Sequence, residues 1–256
     1  MAEIAICLAI IGIALVAIIG VLPWGMNVQR HNREETIINQ DASVILESLR
    51  NGVMAGGDLT NYIFAVTNYW ATWTPNTGPG ATRTSGYGYT GASLAGVSSP
   101  FALNSNSNII GVLSTPEFTS GINSQPLTTR QFLQSGGISN HVLVYARSVS
   151  GPVVEKPPQD NPILIGDSFS YRFLCVNAPP AMDTNSANQV FDQQLAANLH
   201  EVSLIFNWPL QPNGTIGHVG PLTQRATFAG SVFQSPSTDR RQPLYFYQSQ
   251  LFTNAP

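Results

Sequence analysis

The stretch IAICLAIIGIALVAIIGVLPWGM, residues 4–26, decides how the rest of the chain is read. It carries no charged side chain, and a helix of about 20 apolar residues is enough to cross a bilayer. Only Met1, Ala2 and the acidic Glu3 precede it. With no basic segment in front and no A-x-A site behind, a membrane helix fits better than a secretory signal peptide. Ala5, Ala9, Gly12, Ala14, Ala17 and Gly20 lie among Ile, Leu and Val, and small residues let helix backbones approach closely inside lipid. Glu3 is an ionisable group at the edge of such a helix, hence a functional candidate whose partner has to be found. Pro23 removes one helical hydrogen bond and crowds the preceding turn. Flanked by Gly20 and Gly25, it predicts a local loss of helix around Gly20–Gly25.

Downstream the pattern changes. Seven charges fall between Arg30 and Arg50. Ile38, Ala42, Ile45 and Leu49 recur at i, i+4, i+7 and i+11, one face of an amphipathic helix, with Arg33, Glu34, Glu35, Asp41, Glu47 and Arg50 read as covering the remainder. Asn51-Gly52 is a stop signal, since Gly takes the left-handed cap conformation without strain. A helix from Glu3 to Arg50 would be about 72 Å long at 1.5 Å per residue, far more than a membrane needs. One half of it is apolar all round and the other half carries a single apolar stripe.

These features resemble the mature N-terminus of type IV pilins and type II secretion pseudopilins. The matching residues are a single glutamate, Glu3, nine residues to Gly12, continuous Ile/Leu/Val/Ala through Gly20, and a late helix-breaking Pro23. The resemblance covers about 50 residues of the 256. It implies an α+β fold in which a long bent N-terminal helix packs by its C-terminal half against an antiparallel sheet. It also implies an inner-membrane precursor, handled by a prepilin peptidase and an assembly machinery, that polymerises into a helical filament at the cell surface. In that setting Glu3, Gly12, Gly20 and Pro23 would be assembly residues and Met1 would carry the N-terminal amine, which the family methylates. Glu3 stands two residues closer to the first residue than the family's glutamate.

The body is polar but thinly charged, with 17 charged side chains from Asn51 to Pro256. Residues 52–139 read as loop-rich, with Asp58 capping a short segment Leu59–Val66, a short strand at Ile109–Leu113 and a short helix at Thr128–Gln134. From residue 140 the pattern is that of strands. Val142–Val149, Ser168–Asn177, Glu201–Leu210, Arg225–Phe233 and Leu244–Phe252 are rich in Val, Ile, Phe and Tyr, and Pro212-Asn213-Gly214 marks a turn. Four to six antiparallel strands need a cover for their apolar face, and the Ile38–Leu49 stripe supplies it. The organisation expected is therefore an apolar membrane or filament-core helix at 1–26, an amphipathic half at 27–51, a loop-rich region at 52–139 and a sheet head at 140–256.

Motifs for chemistry are sparse. Net charge is −3 and Lys156 is the single lysine, so no nucleic-acid footprint exists. Gly86-Tyr87-Gly88-Tyr89-Thr90-Gly91 matches G-x-G-x-x-G but has no apolar strand before it, and a loop is the better reading. His31, His141, His200 and His218 show no metal spacing. Asp183-Thr184-Asn185 begins like a calcium loop, yet Asn188 and Gln194 replace the required Gly and Glu. Asn213-Gly214-Thr215 is formally a glycosylation sequon that the turn already explains. Tyr69, Trp70 and Trp73 could stack on a sugar, although core or subunit interface is the commoner use of such a cluster. No cofactor is expected, and an enzyme should show convergent titratable groups. The leading reading is thus a structural, homo-oligomeric filament subunit. The alternatives are a minor pseudopilin of a secretion machine, or a membrane-anchored extracytoplasmic binding domain or enzyme.

Overall fold

The computed structural model describes residues 2–51, 59–88, 103, 106–120, 126–149, 169–179, 199–211, 214–217 and 224–233. A single helix, α1, runs Ala2–Asn51. It stays helical through Pro23, so the expected unwinding at Gly20–Gly25 does not occur. The reason lies in the hydrogen-bond count. Pro23 deprives only the Ile19 carbonyl of its helical partner, whereas unwinding Gly20–Gly25 would leave several donors and acceptors unpaired beside apolar side chains.

The chain divides into two compact units, Met1–Gln40 and Asp41–Pro256. The second contains the last turns of α1 and an antiparallel sheet, which together make the α+β class. Its strands are β1 (Ile63–Thr74), β2 (Gly78–Pro79), β3 (Arg83–Gly88), β4 (Phe118–Thr119), β5 (Gly137–Arg147), β6 (Ser170–Ala178), β7 (Leu199–Trp208) and β8 (Gln224–Phe233). The order is β2-β1-β5-β6-β7-β8, with β3 also on β1 and β4 also on β5. Four strands lie where the sequence predicts them, as β5 to β8. Residues 244–252 fall outside the described residues, as do Asp58 and Gly52.

The region read as loop-rich contributes more than expected. β1 is twelve residues long and pairs with β5 along nearly its whole length, from Ile63↔Ala146 to Trp73↔Gly137. Its β-branched and aromatic content suits a strand, and only Leu59–Asn61 of the preceding segment is helical, as a 3-10 turn. Ile109–Leu113 belongs to a helix, α2 (Asn106–Leu113), and not to a strand. A short apolar run buried on several sides has no periodicity that separates the two. The short helix near Thr128 is present as α3 (Thr129–Ser135), started by a capping box between Thr128 and Gln131.

The core forms on one face of the sheet. Val142, Val144 and Ala146 on β5, Tyr171, Phe173 and Cys175 on β6, and Val202, Leu204 and Phe206 on β7 are all buried at alternating positions. Phe173 stacks on Phe206 with centroids 5.1 Å apart. In the helix turns of the same unit, Ala42, Ile45 and Leu49 are 0–1% exposed, and each large side chain taken fully from water contributes about 1.5–3 kcal/mol.

The same face carries a polar band. The Asn68 amide donates to Asn140 Oδ1 at 3.1 Å, and the Asn140 amide donates to the Pro116 carbonyl at 3.2 Å. Asn177 donates its amide to the Ser114 carbonyl and faces His200 Nδ1 across 2.8 Å at its Oδ1. Cys175 Sγ donates to the Leu113 carbonyl. The chain leaving α2 is thereby tied across β1, β5, β6 and β7, its buried carbonyls satisfied by side chains where water is excluded.

Candidate functional site: the apolar stem

Residues 2–26 form the candidate site because nothing in their own unit covers them. Ile4, Ile13, Val16, Ile19 and Trp24 are 65%, 72%, 72%, 67% and 71% exposed. At about 100° per residue these five point to widely separated sides, so the exposed surface is all-round rather than a stripe. An 18-residue window of mean hydropathy 3.1 lies in this segment, with none of it buried. Glu3 sits in the first turn of α1, where a carboxylate is favoured by the unpaired amides of the helix start.

The assembly residues named from the sequence fall into a pattern on this helix. Ala2, Ala5, Ala9, Gly12, Gly20 and Pro23 lie within one sector about 80° wide at 3.6 residues per turn. A Cβ built at Gly12 or Gly20 would meet no atom within 4 Å. Glycine in a helix interior costs about 1 kcal/mol relative to Ala, and no contact among the described residues offsets that cost. The opposite side bears a shallow apolar groove lined by Ala17, Ile18, Val21, Leu22, Gly25 and Met26, ending at Gln29. The structure places Glu3, Gly12, Gly20 and Pro23 on one helix. Glu3 and Pro23 are twenty residues apart and do not form a pocket together.

Beyond the stem, Arg30 Nε donates to Glu34 Oε1 at 2.8 Å, and His31 lies 3.8 Å from the same carboxylate. Glu34 and Asp41, both read as surface residues, are buried at 5% and 0% exposure. The buried side of the amphipathic half is broader than the four-residue stripe and takes in Glu34, Ile37, Asp41 and Ser48 as well. Asp41 Oδ2 accepts from the Val149 backbone amide at 2.9 Å and from the Tyr171 hydroxyl at 3.0 Å. Burial, and then the Asp41 carboxylate, hold the Tyr171 hydroxyl well above its usual pKa. An acid on the apolar face was the available signal for this pin, because a buried carboxylate needs donors.

The remaining sequence candidates disperse. Tyr69 is exposed, while Trp70 is buried, donates Nε1 to Ser85 Oγ at 3.2 Å and lies under the Arg83 guanidinium. Trp73 turns to Phe132 at 6.0 Å. Consecutive residues of a strand face opposite ways, so the three rings do not make one stacking platform. Gly86, Tyr87 and Gly88 are strand residues of β3 paired to β1, not a phosphate loop opening a helix, and burial pushes the Tyr87 hydroxyl up to about 12. Burial likewise pushes the Cys175 thiol up to about 12, which disfavours the reactive thiolate. Cys7 is free and exposed on the stem. Glu117 is raised by burial, and the nearby His141 pulls it back. Among the described residues no group of three His, Cys, Asp or Glu could hold a metal. His218, Asn213 and the 183–194 calcium candidate lie outside the described residues.

Set against known proteins, the chain matches no family model, no curated protein and no solved structure.

Proposed function

We propose that the chain is the structural subunit of a type IV pilus-like filament, held in the inner membrane as a precursor and polymerising through residues 2–26. The observation that supports this reading most is the stem itself. It is a helix exposing large apolar side chains all round, continuous with turns that complete the core of a folded sheet unit. Such a surface has to be covered by lipid or by other copies, and the uncompensated glycines of the Ala2–Pro23 sector suit close approach of a second helix. In the assembled state Glu3 would lie among apolar helices, where a lone charge is costly. As the resemblance to pilins implies, its partner would be the N-terminal amine of a neighbouring copy; Arg30 is 27 residues away, about 40 Å along the helix. The role is structural rather than enzymatic.

Negative-stain microscopy of sheared cells, with mass spectrometry of the filaments, tests the reading directly. Glu3→Gln keeps shape and removes charge. It is expected to leave the membrane-bound precursor at its normal level and to reduce filaments at least tenfold. Wild-type filament yield in that variant would refute the pairing, and filaments lacking this chain would refute the function.

A further inference from the structure

We propose that Trp24 sets the depth of the stem in a lipid bilayer, its indole in the headgroup layer on one side and Glu3 at the other. The inference deepens the membrane-held stage of the reading above and rests on it for that stage alone. The spacing comes first. Glu3 and Trp24 are 21 residues apart on one continuous helix, about 31 Å at 1.5 Å per residue, and the hydrocarbon core of a bilayer is about 30 Å thick. No charged residue stands between them.

Chemistry at the two ends agrees with that span. Trp24 is 71% exposed and is followed by Met26, the last residue of the apolar run. Asn27, Gln29 and Arg30 come next. Arg30 lies about 9 Å beyond the indole along the axis, at the level of lipid phosphates, with a side chain 59% exposed although it also bonds Glu34. Tryptophan concentrates at membrane–water boundaries because its ring is apolar and its one N–H needs a partner. Packed helices of other copies could cover the same aliphatic side chains. They give no reason for the single indole of the stem to stand at the end of the run rather than inside it.

Backbone continuity fits as well. Inside lipid every unpaired N–H or C=O is costly, and α1 remains helical through Pro23 and Gly25. With the indole fixed at the headgroups, Gln40 is carried about 24 Å further along the helix axis, so the exposed Arg33 and Glu35 stand in water rather than among lipid chains.

The test uses the full chain in phosphatidylcholine vesicles at low protein-to-lipid ratio. The vesicles carry lipids brominated either near the carbonyl end or near the tip of the acyl chains. Trp70, Trp73 and Trp208 belong to the sheet unit, so quenching of the wild type reads Trp24, and the difference from Trp24→Phe isolates it. Shallow bromines are expected to quench the Trp24 signal about twofold more than deep ones. Leu15→Trp in the Trp24→Phe chain should reverse that order. Stronger quenching by deep bromines, or none by either, overturns the proposal, and the wild-type measurement decides even if a variant is not recovered in vesicles. Filament yield is scored separately: wrong depth with normal filaments sinks this inference and leaves the filament reading standing, and the converse separates them the other way.

Discussion

Removing the Tyr171 hydroxyl is the most informative perturbation of the sheet unit. Asp41 is fully buried and its Oδ2 takes bonds from Tyr171 at 3.0 Å and from the Val149 amide at 2.9 Å. A hydrogen bond to a charged group contributes about 1.5–3 kcal/mol, so Tyr171→Phe should destabilise the unit by about 2 kcal/mol. Asp41→Ala loses both bonds and leaves a buried hydroxyl and a half-buried amide to find other partners, for about 4 kcal/mol. The double variant should fall well short of the sum, because the same bond is removed in both. Urea unfolding of the full chain in detergent, followed by tryptophan fluorescence, reads this as a midpoint about 1 M lower for Tyr171→Phe at a slope of about 2 kcal/mol per M. pH supplies a second readout. The folded pKa of Tyr171 is raised, so its stabilisation is fully present below the unfolded value of about 10 and is lost as pH rises through the folded value. The wild type should therefore lose stability above about pH 10, and Tyr171→Phe should lose it less steeply. A midpoint shift under about 0.2 M, or additive single and double variants, would show that the Asp41–Tyr171 bond does not hold the helix turns to the sheet.

Three further outcomes are expected. Gly136→Ala should lower stability by about 2 kcal/mol, since Gly136 has φ +76° and a Cβ there would sit 2.7 Å from the Trp73 carbonyl; a thermal melt with an unchanged midpoint contradicts this. Gly12→Leu should leave the circular dichroism of the detergent-solubilised chain unaltered, because no atom lies within 4 Å of the site, while cutting filament yield severalfold in microscopy. Deleting residues 1–26 should yield a soluble monomer with its sheet signal intact, and an unfolded spectrum would mean that the stem supports the fold.

The elements that could be read from the sequence were those with an unbroken period. The apolar run to Met26, the Ile38–Leu49 stripe and the four strands from β5 to β8 carry regular patterns over eight or more residues, and each has its counterpart in the structure. β1 has the right residue types, but its partner β5 is some 70 residues away, and nothing local announces that pairing. α2 is eight residues long and too short for its period to declare itself. At Pro23 a local penalty was set against the cooperativity of a 50-residue helix, and the helix prevailed. For the stem, the all-round apolar character and the small-residue positions were legible from spacing alone. Asp41 was legible only in part: its place three residues after Ile38 and four before Ile45 puts an acid on the apolar face, but its donors, Tyr171 and the Val149 amide, are more than 100 residues away and nothing local announces them.

The position of the Asp41 pin has a mechanical meaning. Its partners belong to β6 and to the chain just after β5, and these two strands lie inside the sheet with neighbours on both sides. A pull along α1 therefore enters the sheet unit at its middle and not at a free edge. Ladders of antiparallel hydrogen bonds on either side must slip together before β5 or β6 can move, whereas a strand with one partner among the described residues, such as β8, offers a single ladder to unzip one bond at a time. The sheet unit is built to resist being torn off by its own stem, and the first element to fail under load should be the helix turns around Asp41 rather than the strands that receive them.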